Sequence, residues 1–314
     1  MKLKTAIEDY VRHKENLGTD FEESARLLRR CGRIWGDISV NDLTPEATKS
    51  FIFGNGPVSS TLHTRFLIIR GLIRYMLARN YITSSPLPVD IPKKPEGLIP
   101  HIYSKAELRR ILTAAKTYSG QYKIDAPTLY TFILLLYACG LRRSEALRLT
   151  LGDVDLNENI ITVRDTKFYK TRYVPFSADL ARVLRGYLRM RSQNGHPAPP
   201  EAFLLVTVES TPIQAPLAGK SFRRVCASAG VRRRHPHERY GPRLHDLRHT
   251  FSVHRLTACY QEGGDPQCLL PKLSTYLGHV DIRETQPYLT LTPELLRYAS
   301  RRFEDYAITG GRRD

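Results

Sequence analysis

A mainly α-helical protein in two parts, the second carrying a small antiparallel sheet, is what this sequence predicts, on three observations. Apolar residues recur every three or four positions along most of the 314 residues. A single pair of β-rich runs, 159–165 and 172–176, interrupts that period. Between 84 and 100, five prolines fall in 17 residues, a density that forbids a helix and marks an extended connector. The predicted parts are residues 1–86 and 103–314, joined by 87–102.

In the first part, helices are expected at 5–17, 22–34, 44–51 and 60–81. The last has Leu62, Phe66, Ile69, Ile73 and Met76 on one face and Arg70 and Arg74 on another, an apolar stripe backed by a basic one. After the connector, Ser104 and Glu107 have the spacing of a capping box, so a helix follows over 105–117. A second helix runs from Pro127 in its first turn to Cys139, with Gly140 as its stop. Ser144 is expected to cap a short third helix through Leu149. The two β-rich runs then form a hairpin with a cationic turn, 166–171. The remainder reads as helices at 177–190, 217–229, 244–258, 268–277, 282–289 and 293–306.

Hydrophobic residues at 41% and charged residues at 25% exclude a disordered or collagen-like chain. The 48 Lys and Arg against 31 Asp and Glu leave +17, which favours a polyanionic partner. Both parts are basic, so the excess is not a mere tail. The longest apolar run, 131–141, is about half the roughly 20 residues a membrane span needs, and the N-terminus shows no secretory signal. No membrane partner is expected, and the expected location is cytoplasmic, with the nucleoid. Five scattered cysteines without a CxxC pair argue against a disulfide framework or a zinc site. The run from Asp153 to Asn159 imitates a calcium loop but lacks its glycine and its terminal glutamate.

Chemistry concentrates in Arg232 to Arg255, where seven arginines and five histidines face only Glu238 and Asp246. Within it, His245 and Arg248 are three apart and share a helical face. Two further elements lie far off in sequence. Gly140-Leu141-Arg142-Arg143-Ser144-Glu145 sets Arg142 at a corner between helices, with Glu145 placed to hold its guanidinium. Leu277-Gly278-His279 ends a helix, and Tyr288 follows nine residues after His279.

These motifs, in this order, resemble the tyrosine site-specific recombinases, also called the phage integrase family. The resemblance spans Tyr103 to about Arg302 and extends more weakly to the first part. It implies an N-terminal helical core-binding (SAM-like) domain and a mostly helical catalytic domain. Residue by residue, it implies that Arg142, Lys167, His245, Arg248 and His279 surround a scissile phosphate that Tyr288 attacks. Lys167 is selected from the hairpin turn by the register of Tyr173-Val174-Pro175, with Lys170 as its rival. Tyr276 is the nearest rival nucleophile. Here the family often reads Tyr-Thr-His and this chain reads Tyr288-Leu289-Thr290.

The residue types suit the task. Two planar, permanently charged forks can grip the non-bridging oxygens as charge grows on them. A phenol with pKa about 10 needs a base, for which the resemblance nominates His245. Lys167 would protonate the leaving 5′-oxygen, and His279 would donate to a phosphate oxygen. No carboxylate cluster suggests a metal, and no cofactor or ATP is expected. The implied activity is site-specific cleavage and rejoining of double-stranded DNA through a 3′-phosphotyrosine. Strands would be exchanged through a Holliday junction by a homo-tetramer, with accessory proteins or a partner recombinase, in DNA integration, excision or resolution. Arg70, Arg74, Arg232, Arg233, Arg234 and Arg243 are the expected DNA contacts. The alternatives are a type IB topoisomerase-like enzyme and a catalytically silent DNA-binding regulator on the same scaffold.

Overall fold

The computed structural model describes residues 1–19, 21–54, 59–88, 99–119, 123–164, 171–232, 241–279, 281–291 and 293–308. The chain divides into two units, 1–98 and 99–314. Most of the proline-rich connector, the hairpin turn with Lys167 and Lys170, and Arg233 and Arg234 lie outside the described residues.

The first unit holds α1 (Leu3–Asn16), α2 (Glu22–Trp35), α3 (Pro45–Phe53) and α4 (Ser60–Ala78). The apolar stripe of α4 is buried throughout, from Leu62 to Met76, against Leu3, Ile7 and Leu28 of the other helices. α4 stops at Ala78 rather than 81 because Asn80 takes a left-handed φ of 55°, a conformation asparagine tolerates. The chain turns there, with the Tyr81 N–H donating to the Met76 carbonyl at 2.8 Å.

The second unit opens with α5 (Lys105–Lys116), α6 (Ala126–Ala138) and α7 (Arg143–Arg148). At α5 the capping box closes both ways: Glu107 N–H donates to Ser104 Oγ at 3.1 Å, and Ser104 N–H to Glu107 Oε2 at 2.7 Å. Ser144 is not the cap of α7. Arg142 holds that position, and its N–H donates to Glu145 Oε2 at 2.8 Å. Strands β1 (Val154–Asp155), β2 (Ile160–Val163) and β3 (Arg172–Pro175) follow, all antiparallel, with Ile161 opposite Val174 and Val163 opposite Arg172. β1 is a strand the sequence pattern does not suggest, because two residues carry no readable period.

The rest is α8 (Ala178–Gln193), α9 (Ala215–Ser228), α10 (Leu244–Gln261), α11 (Pro266–Leu277) and α12 (Pro293–Ile308). α10 is the central element, packed against α6, α11 and α12. It buries Leu247, Phe251, Val253 and Leu256 along with polar Asp246, Arg248 and Ser252. The helix expected at 282–289 is instead two 3₁₀ turns, Ile282–Glu284 and Gln286–Thr290. Pro287 explains this: it has no N–H to donate and it disfavours α-helical angles at Gln286.

Candidate active site

The site is built at the C-terminal end of α11. A helix end leaves carbonyls without intrahelical partners, and its dipole is negative there. Gly278, left-handed at φ 67°, ends α11. Three successive carbonyls at this end each accept from a different arginine. Tyr276 O accepts from Arg172 Nε at 3.0 Å, Leu277 O from Arg248 Nη2 at 2.6 Å and Gly278 O from Arg142 Nη2 at 3.2 Å. Gly140 O takes Arg248 Nη1 at 2.7 Å.

One carboxylate sits among these cations. Glu145 Oε1 accepts from Arg142 Nη1 at 2.9 Å, and both its oxygens accept from Arg172, at 3.0 and 2.8 Å. Arg248 Nη1 lies 3.8 Å from Glu145 Oε2. Burial alone would raise this carboxyl, but the bonds and charge of Arg172, with the bonds from Arg142, hold it at about 2. It stays ionised and offsets part of the repulsion between the guanidiniums. Arg248 is 1% exposed, and burial first, then Arg142, lowers it to about 10, so it stays charged at neutral pH. Arg142 keeps 28% of its side chain exposed and is the fork that faces solvent.

Arg142 forms part of the wall of an open cavity of about 510 Å³ with Arg143, Arg223, Arg243 and His245. No carboxylate is among its described lining residues. Arg142 reaches it because Gly140 turns the chain at φ 58°, where an added Cβ would come within 2.6 Å of the Phe251 ring.

Tyr288 is buried, at 4% exposure. Burial raises its phenol pKa, against the opposing charges of Arg248 and Arg142. Its hydroxyl is 3.2 Å from His249 Nδ1. The His245 ring stands edge-on to His249, with centroids 4.6 Å apart, but makes no hydrogen bond to Tyr288 among the described residues. His279 Nδ1 is 2.7 Å from Thr285 Oγ1, and its ring is 6.3 Å from that of Tyr288. His249 and His279 are both pushed down to about 4, by burial first and then by neighbouring arginines, so they are neutral at pH 7.

Arg142, His245, Arg248, His279 and Tyr288 thus converge, and Glu145 holds two of the arginines together. The rival Tyr276 is committed elsewhere: its hydroxyl donates to Pro175 O at 3.2 Å and its ring stacks on Phe251. Arg243 lines the cavity but is engaged by Asp246 at 2.7 Å. Arg232 and Arg74 are exposed, and Arg70 lies over the Phe66 ring.

The sequence reading passed over two residues. Arg172 is in phase with buried Val174 on β3, and an arginine on the inward face of a strand calls for an anion. His249 is four residues from His245, hence on the same face of α10.

Among the described residues there is no cluster of acidic, histidine or cysteine side chains able to hold a metal, and no helix is long and apolar enough to cross a membrane. The profile of the phage integrase family matches residues 102–294. An integrase/recombinase of Sinorhizobium fredii, y4rB, is 34% identical over 310 residues, covering 96% of this chain and 97% of its own. Tyrosine recombinase XerD of Neisseria meningitidis is 29% identical, covering 86% and 84%. In fold, the chain is similar to the Tn1549 transposon integrase in complex with a circular intermediate DNA, with TM-score 0.69 and 18% identity over 96% of this chain and 99% of that one. It is also similar to a lambda integrase dimer bound to a COC′ core site, with TM-score 0.62 and 14% identity over 90% and 96%. The family so matched consists of DNA strand transferases that need neither ATP nor a metal. This chain belongs to the phage integrase family, the tyrosine recombinases.

Proposed function

We propose that this protein cleaves and rejoins double-stranded DNA at a specific site, with Tyr288 as nucleophile and Arg142 and Arg248 as the clamp on the scissile phosphate. One observation carries the reading: Glu145 and the end of α11 hold these two guanidiniums beside a buried phenol. As the Tyr288 oxygen attacks phosphorus, negative charge grows on the non-bridging oxygens, and prepositioned forks stabilise it without reorganising. His245 on the cavity wall and His279 beside Tyr288 donate hydrogen bonds to the phosphate. An imidazole on α10 takes the phenolic proton, and Lys167 on the hairpin turn protonates the departing 5′-oxygen. The resulting 3′-phosphotyrosine conserves the bond energy, so a second 5′-hydroxyl reseals the strand.

The wider assignment follows the resemblance: four copies on two duplexes, exchanging strands through a Holliday junction in DNA integration, excision or resolution. Accessory proteins or a partner recombinase complete the assembly. Arg70 and Arg74 in the first unit, and Arg143, Arg223, Arg232, Arg233, Arg234 and Arg243 in the second, supply backbone contacts, so affinity falls steeply with salt.

The test is incubation with a nicked suicide duplex in EDTA. A covalent protein–DNA adduct is expected from the wild type and none from Tyr288→Phe. An adduct that persists in that variant moves the nucleophile elsewhere.

A further inference from the structure

We propose that His249, rather than His245, is the base that takes the proton of Tyr288. This rests on the phosphotyrosine reading and deepens it. The phenolic oxygen is the atom that must attack, and the imidazole nitrogen hydrogen-bonded to it is His249 Nδ1, at 3.2 Å. That is within the reach of a proton transfer that tightens once substrate is bound. The other polar neighbour, the Ser252 hydroxyl, donates to Arg248 O at 3.0 Å, and a hydroxyl is no base at neutral pH.

His249 is placed for this by sequence and fold together. It lies one residue after buried Arg248 on α10, so the residue that grips phosphate and the residue that meets the phenol are fixed by the same helical turn. The groups around it are His245 and Arg248 from its own helix, Arg243 at that helix's N-cap, and Tyr288 and His279 from the segment after α11. No carboxylate is among them, so nothing holds the ring protonated, and in its Nε2–H tautomer neutral His249 offers the Nδ1 lone pair to the phenol. His245, on the cavity wall with Arg142, is left to hydrogen-bond to the phosphate.

The step balances. The Tyr288 O–H bond breaks and its proton passes to His249 Nδ1. The tyrosine oxygen bonds to phosphorus, and the P–O5′ bond breaks with its electron pair on the leaving oxygen, which takes a proton from Lys167. Resealing runs the same transfers in reverse, with imidazolium returning the proton to the phenolate.

The experiment compares single-turnover adduct formation on the nicked duplex by the wild type, His249→Ala, His249→Asn and Tyr288→Phe. An Asn side chain can accept a hydrogen bond near the place of Nδ1 but cannot take a proton. Both His249 variants are expected to bind the duplex like the wild type and to cleave it roughly 100-fold or more slowly. The wild-type rate is expected to fall as the medium is acidified from pH 7 towards pH 4, a limb that both variants lose. His249→Asn cleaving within threefold of the wild type would reduce the residue to an anchor and overturn the proposal. So would slow variants that keep the acid limb, or a wild-type rate with no acid limb, which needs no variant to fold. An adduct surviving in Tyr288→Phe refutes the phosphotyrosine reading itself. Its loss there together with a normal rate in His249→Ala refutes only the role of His249.

Discussion

Replacing Glu145 with glutamine tests whether one carboxylate holds the arginine cluster together. The side chain keeps its size but loses its charge, and its new amide donors face guanidiniums that also only donate. Glu145 is 2% exposed at the side chain and Arg172 11%, so the pair belongs with buried ion pairs, whose one-sided removal costs about 3–5 kcal/mol. The depressed carboxyl points to a similar figure. A carboxyl held at about 2 against an ordinary value of 4.5 corresponds to about 3 kcal/mol of linked stability. Because the folded pKa is depressed, this stabilisation is complete above about pH 4.5 and drains away as the pH falls towards 2. Urea unfolding at pH 7, followed by far-UV circular dichroism, should show the second unit destabilised by about 3 kcal/mol. Fluorescence of Trp35, the sole tryptophan, which lies in the first unit, serves as the internal reference. A loss below about 1 kcal/mol, the range of exposed pairs, would refute the idea that Glu145 organises the arginines.

Two further outcomes are expected. Gly140→Ala forces a Cβ onto a left-handed residue and against Phe251, which should cost about 1–3 kcal/mol in thermal unfolding and reduce adduct formation by displacing Arg142; an unchanged melting temperature contradicts it. Between pH 6.5 and 4 the unfolded chain binds more protons than the folded one at His249 and His279, whose folded values sit near 4. Stability should therefore fall on acidification through that window, with a shallower slope in His249→Asn; equal slopes would show that His249 is not held neutral.

The two faces of α4, the Ser104–Glu107 box and the Gly140 stop could be read from the chain because each depends on residues within one or two helical turns. The segment after α11 read as a helix at 282–289, and its replacement by two 3₁₀ turns around Pro287 was visible only in the fold. The order Arg142, His245, Arg248, His279, Tyr288 was legible as a motif series. The partners of these residues were not. Glu145 was matched to Arg142 three residues away, whereas Arg172 reaches the same carboxylate across 27 residues and carried no signal beyond its phase on a strand. His249 was in plain view beside Arg248, yet nothing local shows that its ring meets a phenol 39 positions later.

Alone, the sequence determined most of the helices, the Ser104–Glu107 cap and the set of cationic and phenolic side chains, because spacing along a helix and charge are properties of neighbours. The tertiary structure decided which carbonyls receive which guanidinium and which imidazole touches Tyr288. Those outcomes depend on where the end of α11 lies relative to α7, β3 and α10, and that placement comes from burying apolar faces far apart in the chain.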